Sequence, residues 1–179
     1  NEAAPVPTAA KIELVQRLQA AGVREIEVTS FVSPKWVPQM ADNTAVLAGV
    51  ERKAGVRYSV LIPNMKGLDA ALSMPRAQWP DEIVVFAAAT EAFSQKNINC
   101  SIAESIERFR PVVAAAHGHG IKVRGAVSVA LGCPYQGEVS ADEVERVVRL
   151  IREIGVDHCG IADTIGVGTP KRVQAALER

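Results

Sequence analysis

Apolar positions along the chain follow two alternating rhythms. In the first they recur every three or four residues: Ile12, Leu14, Val15 and Leu18 mark an amphipathic helix over 9–21, with Thr8 as its N-cap and Gly22 as its terminator. In the second, short runs rich in β-branched residues stand between turn signals, as in Tyr58-Ser-Val-Leu-Ile62, stopped by Pro63-Asn64. The alternation predicts strands around Glu27 and over 58–62, 82–89, 122–130 and 158–163. It predicts helices over 40–53, 67–74, 101–117 and 140–154, with Pro111 kinking the third. Ser101-Ile-Ala-Glu104 and Ser140-Ala-Asp-Glu143 are capping boxes, in which serine and glutamate satisfy each other's orphan amides. Thr169-Pro170 reads as N-cap and first residue of a last helix, and residues 90–99 read as a polar loop.

Five strands centred near residues 27, 60, 86, 126 and 161, each followed by a helix, predict a parallel sheet of βα units. No G-x-G-x-x-G follows the first strand, which weakens a dinucleotide-binding reading. The expected fold class is α/β, of the TIM (β/α)8 barrel family, and a doubly wound open sheet fits the same spacing. A complete barrel has eight strands and typically about 250 residues. The 179 residues are therefore expected to form a single partial-barrel domain of about five βα units.

The stretch Arg24 to Gln39 breaks the pattern. Its first half alternates as a strand, with Ile26 and Val28 on one face, yet it carries Glu27, Thr29 and Ser30 where a buried parallel strand should be apolar. A buried carboxylate costs several kcal/mol unless paired, which points to a polar cavity. In barrels the chemistry sits where strands end, and the polar residues obey that placement. Glu27, Thr29 and Ser30 end the first strand, and Asn64 follows the second. Thr90, Glu91, Asn97 and Asn99 follow the third, Ser128 and Cys133 the fourth, and Asp163 and Thr164 the fifth. Each has a plainer alternative: Glu27 as a structural ion pair, Asp163 as a turn cap, Asn97 and Asn99 as loop shapers, Cys133 as a small loop residue. Trp36 reads as a loop anchor. Gly166-Val-Gly168-Thr169 could cradle an anion before a helix. His117-Gly-His119 has metal-pair spacing but lies at a helix end before a strand, where His complements the helix dipole.

Composition narrows the partners. Lys+Arg and Asp+Glu both number 20, so no basic field selects nucleic acid. No apolar run approaches the ~20 residues of a membrane span, and Asn1–Pro5 shows no leader pattern. Three cysteines suit a reducing compartment better than a disulfide framework. A cytoplasmic protein is expected, or one of the mitochondrial matrix if the source is eukaryotic.

Longer strings carry a resemblance. Ser30-Phe-Val-Ser-Pro-Lys-Trp-Val-Pro-Gln39, Lys96-Asn-Ile-Asn-Cys-Ser101, Ala130-Leu-Gly-Cys-Pro-Tyr135 and Asp163-Thr-Ile-Gly-Val-Gly-Thr-Pro170 resemble, in order, the 3-hydroxy-3-methylglutaryl-coenzyme A lyase family. The resemblance implies a TIM barrel that uses Mg²⁺ or Mn²⁺ to cleave an acyl-CoA into acetyl-CoA and acetoacetate, as a homodimer in the complete enzyme. It implies catalytic roles for Glu27, which orients a catalytic arginine, and for Asp163, beside the reacting hydroxyl. Ser30, Asn97, Thr164 and Cys133 are implied to line the substrate, and Arg124 matches a structurally important arginine. The family's second cysteine before Gly-Cys-Pro is Val129 here. The family's first strand, bearing an Arg-Asp-Gly motif, and its last strands, bearing a His-x-His pair, a catalytic cysteine loop and a metal-binding asparagine, are not found in these residues. No metal ligand is therefore assigned within the chain, and the 179 residues alone are expected to be inactive. Isopropylmalate or homocitrate synthase-like chemistry and a non-catalytic half-barrel association module are the alternatives.

Overall fold

The structure, a computed structural model, describes residues 4–178; Asn1–Ala3 and Arg179, where the expectations about the chain's start and end fall, lie outside the described residues. The elements follow in the order α1 (Thr8–Ala20), β1 (Glu25–Ser30), α2 (Asn43–Gly49), β2 (Arg57–Leu61), α3 (Met65–Leu72), β3 (Glu82–Ala88), α4 (Glu91–Ile98), α5 (Ile102–Gly118), β4 (Lys122–Ser128), α6 (Ala141–Glu153), β5 (His158–Ile161) and α7 (Pro170–Leu177). The strands hydrogen-bond in the order β1-β2-β3-β4-β5, and β1–β2, β2–β3 and β4–β5 pair in parallel. Spatial order equals chain order. A doubly wound sheet requires a reversal of that order, so the open alternative falls and the five βα units are those of a partial (β/α)8 barrel.

Residues up to Val84 and residues from Val85 each form a compact unit. In the first, Val15, Ile26, Val50, Val56 and Tyr58 make a core against which Leu18 and Val28 pack. Burying side chains of this size contributes roughly 1.5–3 kcal/mol each. The Tyr58 hydroxyl is not left orphaned, since it accepts the Lys53 amide at 2.7 Å. Arg52 lies over the Tyr58 ring at 4.7 Å and pairs with Asp81, whose carboxylate also accepts the Tyr58 amide. Leu14, expected on the apolar face of α1, is 58% exposed; the buried stripe runs through Val15 and Gln19 instead. Thr8 is the first helical residue rather than the N-cap. Pro7 holds that position, and the Thr8 hydroxyl donates to Asp42 at 2.7 Å. The helix expected over 40–53 is shorter, a 3₁₀ turn at Pro38–Met40 followed by α2.

In the second unit, α5 buries Ile102, Ile106, Phe109, Val112, Val113 and Ala116, and continues through Pro111. Phe109 meets Phe86 edge to face at 5.5 Å. Helix α6 buries Val144, Val147 and Ile151. Both capping boxes are formed, with Ser101 and Ser140 accepting the amides of Glu104 and Glu143. The expected loop at 90–99 is instead the helix α4, started by Thr90, whose hydroxyl accepts the Phe93 amide, and ended by Asn99 at φ +51°. Its only buried side chain among the described residues is Ser94. Without an apolar stripe, the helix gave no periodic signal.

His117 and His119 end α5 where the chain turns into β4. His117 Nε2 lies 3.0 Å from Asp157 Oδ2, and the same oxygen accepts the Val123 amide at 2.8 Å. The Val123 amide first, and His117 second, hold Asp157 below the usual carboxylate range. A carboxyl group with a depressed folded-state pKa adds stability above its unfolded value and loses it as pH falls through the folded value. Asp157→Ala should therefore lower the urea midpoint at pH 7, and the gap from wild type should close below about pH 4; a gap that widens in acid contradicts the assignment. Ser140→Ala should cost about 1 kcal/mol, read as a lower denaturation midpoint at unchanged slope.

Candidate functional site

The carboxyl ends of the strands carry the residues singled out by sequence, and the two units are taken separately. In the first, Ile26 points into the core, and Glu27, the next residue along the pleat, is exposed. The expectation of a buried carboxylate is thus overturned: successive side chains face opposite sides of a strand, and the side of Glu27 carries no such burial in the described chain. A register shift between Glu27 and Thr29 places two β1 residues against one step of β2, a bulge that re-aims the following side chains. Thr29 and Ser30 are buried as a result. Ser30 closes the turn out of β1, its hydroxyl accepting the Val32 amide at 3.3 Å and its carbonyl accepting Asn43 Nδ2 at 3.1 Å.

Trp36 is 87% exposed and anchors nothing in the loop. The turn is closed by the Ser33 carbonyl, which accepts the amides of Trp36 and Val37. Gln39 provides the tie, accepting the Val6 amide and donating to the Ala4 carbonyl. Asn64 caps α3 by accepting the Gly67 amide.

In the second unit the site is built from loops after β3, β4 and β5. Asp163 lies just past β5, and its two carboxylate oxygens accept the amides of Val167 at 3.0 Å and Gly168 at 2.8 Å. The anion cradled by Gly166-Val-Gly168 is therefore the chain's own aspartate. The close approach needs glycine, because a β-carbon on Gly168 would stand 2.8 Å from Asp163 Oδ2 and 2.6 Å from Leu131 Cδ1. The result is an exposed carboxylate with its orientation fixed by two charge-assisted hydrogen bonds. Thr164 accepts the Val129 amide through Oγ1 at 2.7 Å.

Cys133 is buried at 3% exposure in a tight hairpin, where its amide and carbonyl bond to Gly137 at 2.8 Å each. Its sulfur lies 3.2 Å from the Thr90 hydroxyl and accepts the Gln136 amide. Burial alone would raise the thiol, but Thr90 and the amides of Gln136 and Tyr135 together hold it below the ordinary thiol value. Thr90 thus has two duties, capping α4 and supporting Cys133. Phe93 of α4 and Tyr135 of the hairpin sit with ring centroids 6.0 Å apart. Asn97, expected in a loop, is on the exposed side of α4. Arg124 sits near the start of β4, across from His158 in β5, and belongs to the other end of the strand.

Sequence singles out Thr90 at the end of the third strand without its capping role, and it misses Val129 as a participant. Thr90 carried an N-cap signal in its position before Glu91, masked by the absence of a stripe in α4. Val129 adopts φ +54°, and nothing in a valine announces that. Among the described residues, no three His, Cys, Asp and Glu side chains stand together in a group that could hold a metal ion.

Comparison with known proteins places this geometry in context. Residues 1–179 match the HMGL-like protein family. A Pseudomonas aeruginosa protein named 3-hydroxy-3-isohexenylglutaryl-CoA/hydroxy-methylglutaryl-CoA lyase is 51% identical over 178 residues, which cover 99% of this chain and 58% of that protein. A Bos taurus protein named mitochondrial hydroxymethylglutaryl-CoA lyase is 50% identical over 177 residues, 99% of this chain and 53% of its own. The crystal structure of the HMG-CoA lyase from Brucella melitensis superposes with a TM-score of 0.92 at 52% identity, covering 99% of this chain and 62% of that one. The chain therefore spans somewhat over half the length of the relatives it matches. With the family matched from end to end and the strand order of a barrel segment, this chain belongs to the HMGL-like family.

Proposed function

We propose that this chain supplies five βα units, as part of one barrel domain, to an enzyme that cleaves 3-hydroxy-3-methylglutaryl-CoA into acetyl-CoA and acetoacetate. The observation that carries the reading is the match of about half of all positions, along essentially the whole chain, to proteins named for that lyase. The reaction deprotonates a tertiary hydroxyl, the alkoxide pair becomes the new ketone, and the adjacent carbon–carbon bond breaks. The electrons are left on the thioester enolate, which then takes a proton on carbon.

Asp163 suits the first event. Its carboxylate is exposed and accepting, and the Val167 and Gly168 amides fix its direction before substrate arrives, the kind of preorganisation that lowers a barrier without reorganisation during the reaction. Glu27 is assigned to orienting a catalytic arginine from outside this chain. Ser30, Asn97, Thr164 and Cys133 are assigned to the substrate's surroundings. The divalent cation implied by the family, Mg²⁺ or Mn²⁺, does not find a complete donor set here, because the described residues hold no three-ligand group. Its ligands are assigned to the additional length that the relatives possess. The whole enzyme is read as a homodimer acting on an acyl-CoA, in the cytoplasm or the mitochondrial matrix.

The test is acetoacetate release from 3-hydroxy-3-methylglutaryl-CoA by the full-length protein supplied with Mg²⁺. Asp163→Asn should lower kcat by about 10²–10⁴-fold, with the thermal midpoint moving by only a few degrees, about the effect of one lost hydrogen bond. Absence of acetoacetate from the wild type sinks the lyase reading. A variant within a factor of about three of wild type removes Asp163 from the chemistry.

A further inference from the structure

The loops after β4 and β5 are locked together at points that share one residue of unusual backbone. Val129 is fully buried and stands at φ +54°. For a β-branched side chain the left-handed region is a genuine outlier, and such a conformation persists only where its surroundings over-determine it. Those surroundings are on hand: the Thr164 hydroxyl accepts the Val129 amide at 2.7 Å, and the next amide, that of Ala130, donates to the Ala162 carbonyl at 3.1 Å. The reversal at Val129 lays Leu131 and Gly132 over the loop 165–168. There the two loops meet through reciprocal glycines. A β-carbon on Gly132 would stand 2.7 Å from Val167 Cγ2, and one on Gly168 would stand 2.6 Å from Leu131 Cδ1. Val167 and Gly168 are the residues whose amides hold the Asp163 carboxylate.

We propose that Thr164 and Val129 are positioning residues: the Thr164 hydroxyl fixes the left-handed turn at Val129, the turn sets Leu131 against Gly168, and Gly168 aims Asp163. Thr164 thereby acts on the reaction through the carboxylate, instead of through its own contact with substrate. The inference rests on the reading that Asp163 serves the lyase chemistry, and its structural half stands apart from that reading. Leu131 is the link that can be cut without touching either end, being only 8% exposed and packed at Gly168.

Amide hydrogen exchange on the full-length protein, paired with steady-state kinetics, tests this. In Thr164→Val the amides of Val167 and Gly168 should exchange about tenfold faster or more, while those of Val147 and Ile151 in α6 keep their protection, which separates local loosening from global unfolding. kcat should fall about tenfold with KM within about twofold of wild type, and Thr164→Ser, which keeps the acceptor, should restore both. Leu131→Ala should loosen the Gly168 amide likewise. Unchanged exchange at Val167 and Gly168 in Thr164→Val or in Leu131→Ala overturns the proposal. So does a raised KM at unchanged kcat in Thr164→Val, which is the mark of direct substrate contact. If the valine variant does not fold, loss of Val167 and Gly168 protection in Thr164→Ser overturns it as well. Should the wild type release no acetoacetate, the lyase reading fails and the exchange data still decide whether Thr164 and Leu131 hold the loop.

Discussion

The second unit depends on how one exposed carboxylate is held. Asp163 accepts two backbone amides from its own loop, so an acidic side chain at a strand end becomes a fixed feature of the fold. Charge-assisted bonds of this kind are shorter and about twice as strong as neutral ones, yet surface exposure weakens any charge interaction through solvent. Geometry is what the arrangement secures. The loop 165–168 can close around the carboxylate only because Gly168 has no β-carbon, and it stays closed because Leu131 packs behind it.

Strand order gives these loops their common location. In a parallel sheet built from consecutive βα units, every strand ends at the same edge, and the residues just beyond it come from distant parts of the sequence. Thr90, Cys133 and Asp163 follow β3, β4 and β5 in that way. The opposite ends carry stabilising pairs. Asp157 anchors the start of β4 through Val123 and His117, and Arg57 pairs with Glu25 at 3.1 Å and with the buried Glu82 at 3.6 Å. Conserving one end for packing and the other for polar loops is a division that the chain's order alone imposes.

Much of this is legible in the sequence. Capping boxes at Ser101 and Ser140 state their own hydrogen bonds, and both formed; the five strands lie where β-branched runs stood. What was not legible has physical causes. Helix α4 buries only Ser94 fully, and its apolar Phe93 and Ile98 stand five positions apart, so no stripe of period 3.6 registers it. Glu27 looked anomalous because a parallel strand was assumed buried on both faces, and it is exposed here. Trp36 suggests an anchor by residue type alone, yet the tie is made by Gln39, whose amide reaches the segment before α1. Val129 lies beyond sequence reading altogether, because its backbone angle is imposed by Thr164, 35 positions away.

The hydroxyls at the strand ends share a further property. Ser30, Thr90 and Thr164 each use an oxygen lone pair to accept a backbone amide, from Val32, Phe93 and Val129 respectively. A hydroxyl has one proton and two lone pairs, so accepting one amide leaves the O–H as a donor. Thr90 has Cys133 Sγ within 3.2 Å for that proton. At Ser30 the amide fixes the oxygen while the proton can still turn about the C–O bond, and at Thr164 it ties the oxygen to the turn at Val129. A neutral hydroxyl is a poor general base, and one held in this way at Ser30 keeps its proton available as a donor. Negative charge toward the strand ends comes from Glu27, Glu91 and Asp163, and the hydroxyls supply direction. This division explains how a sequence with balanced charge can specialise one end of its strands without a field of a single sign.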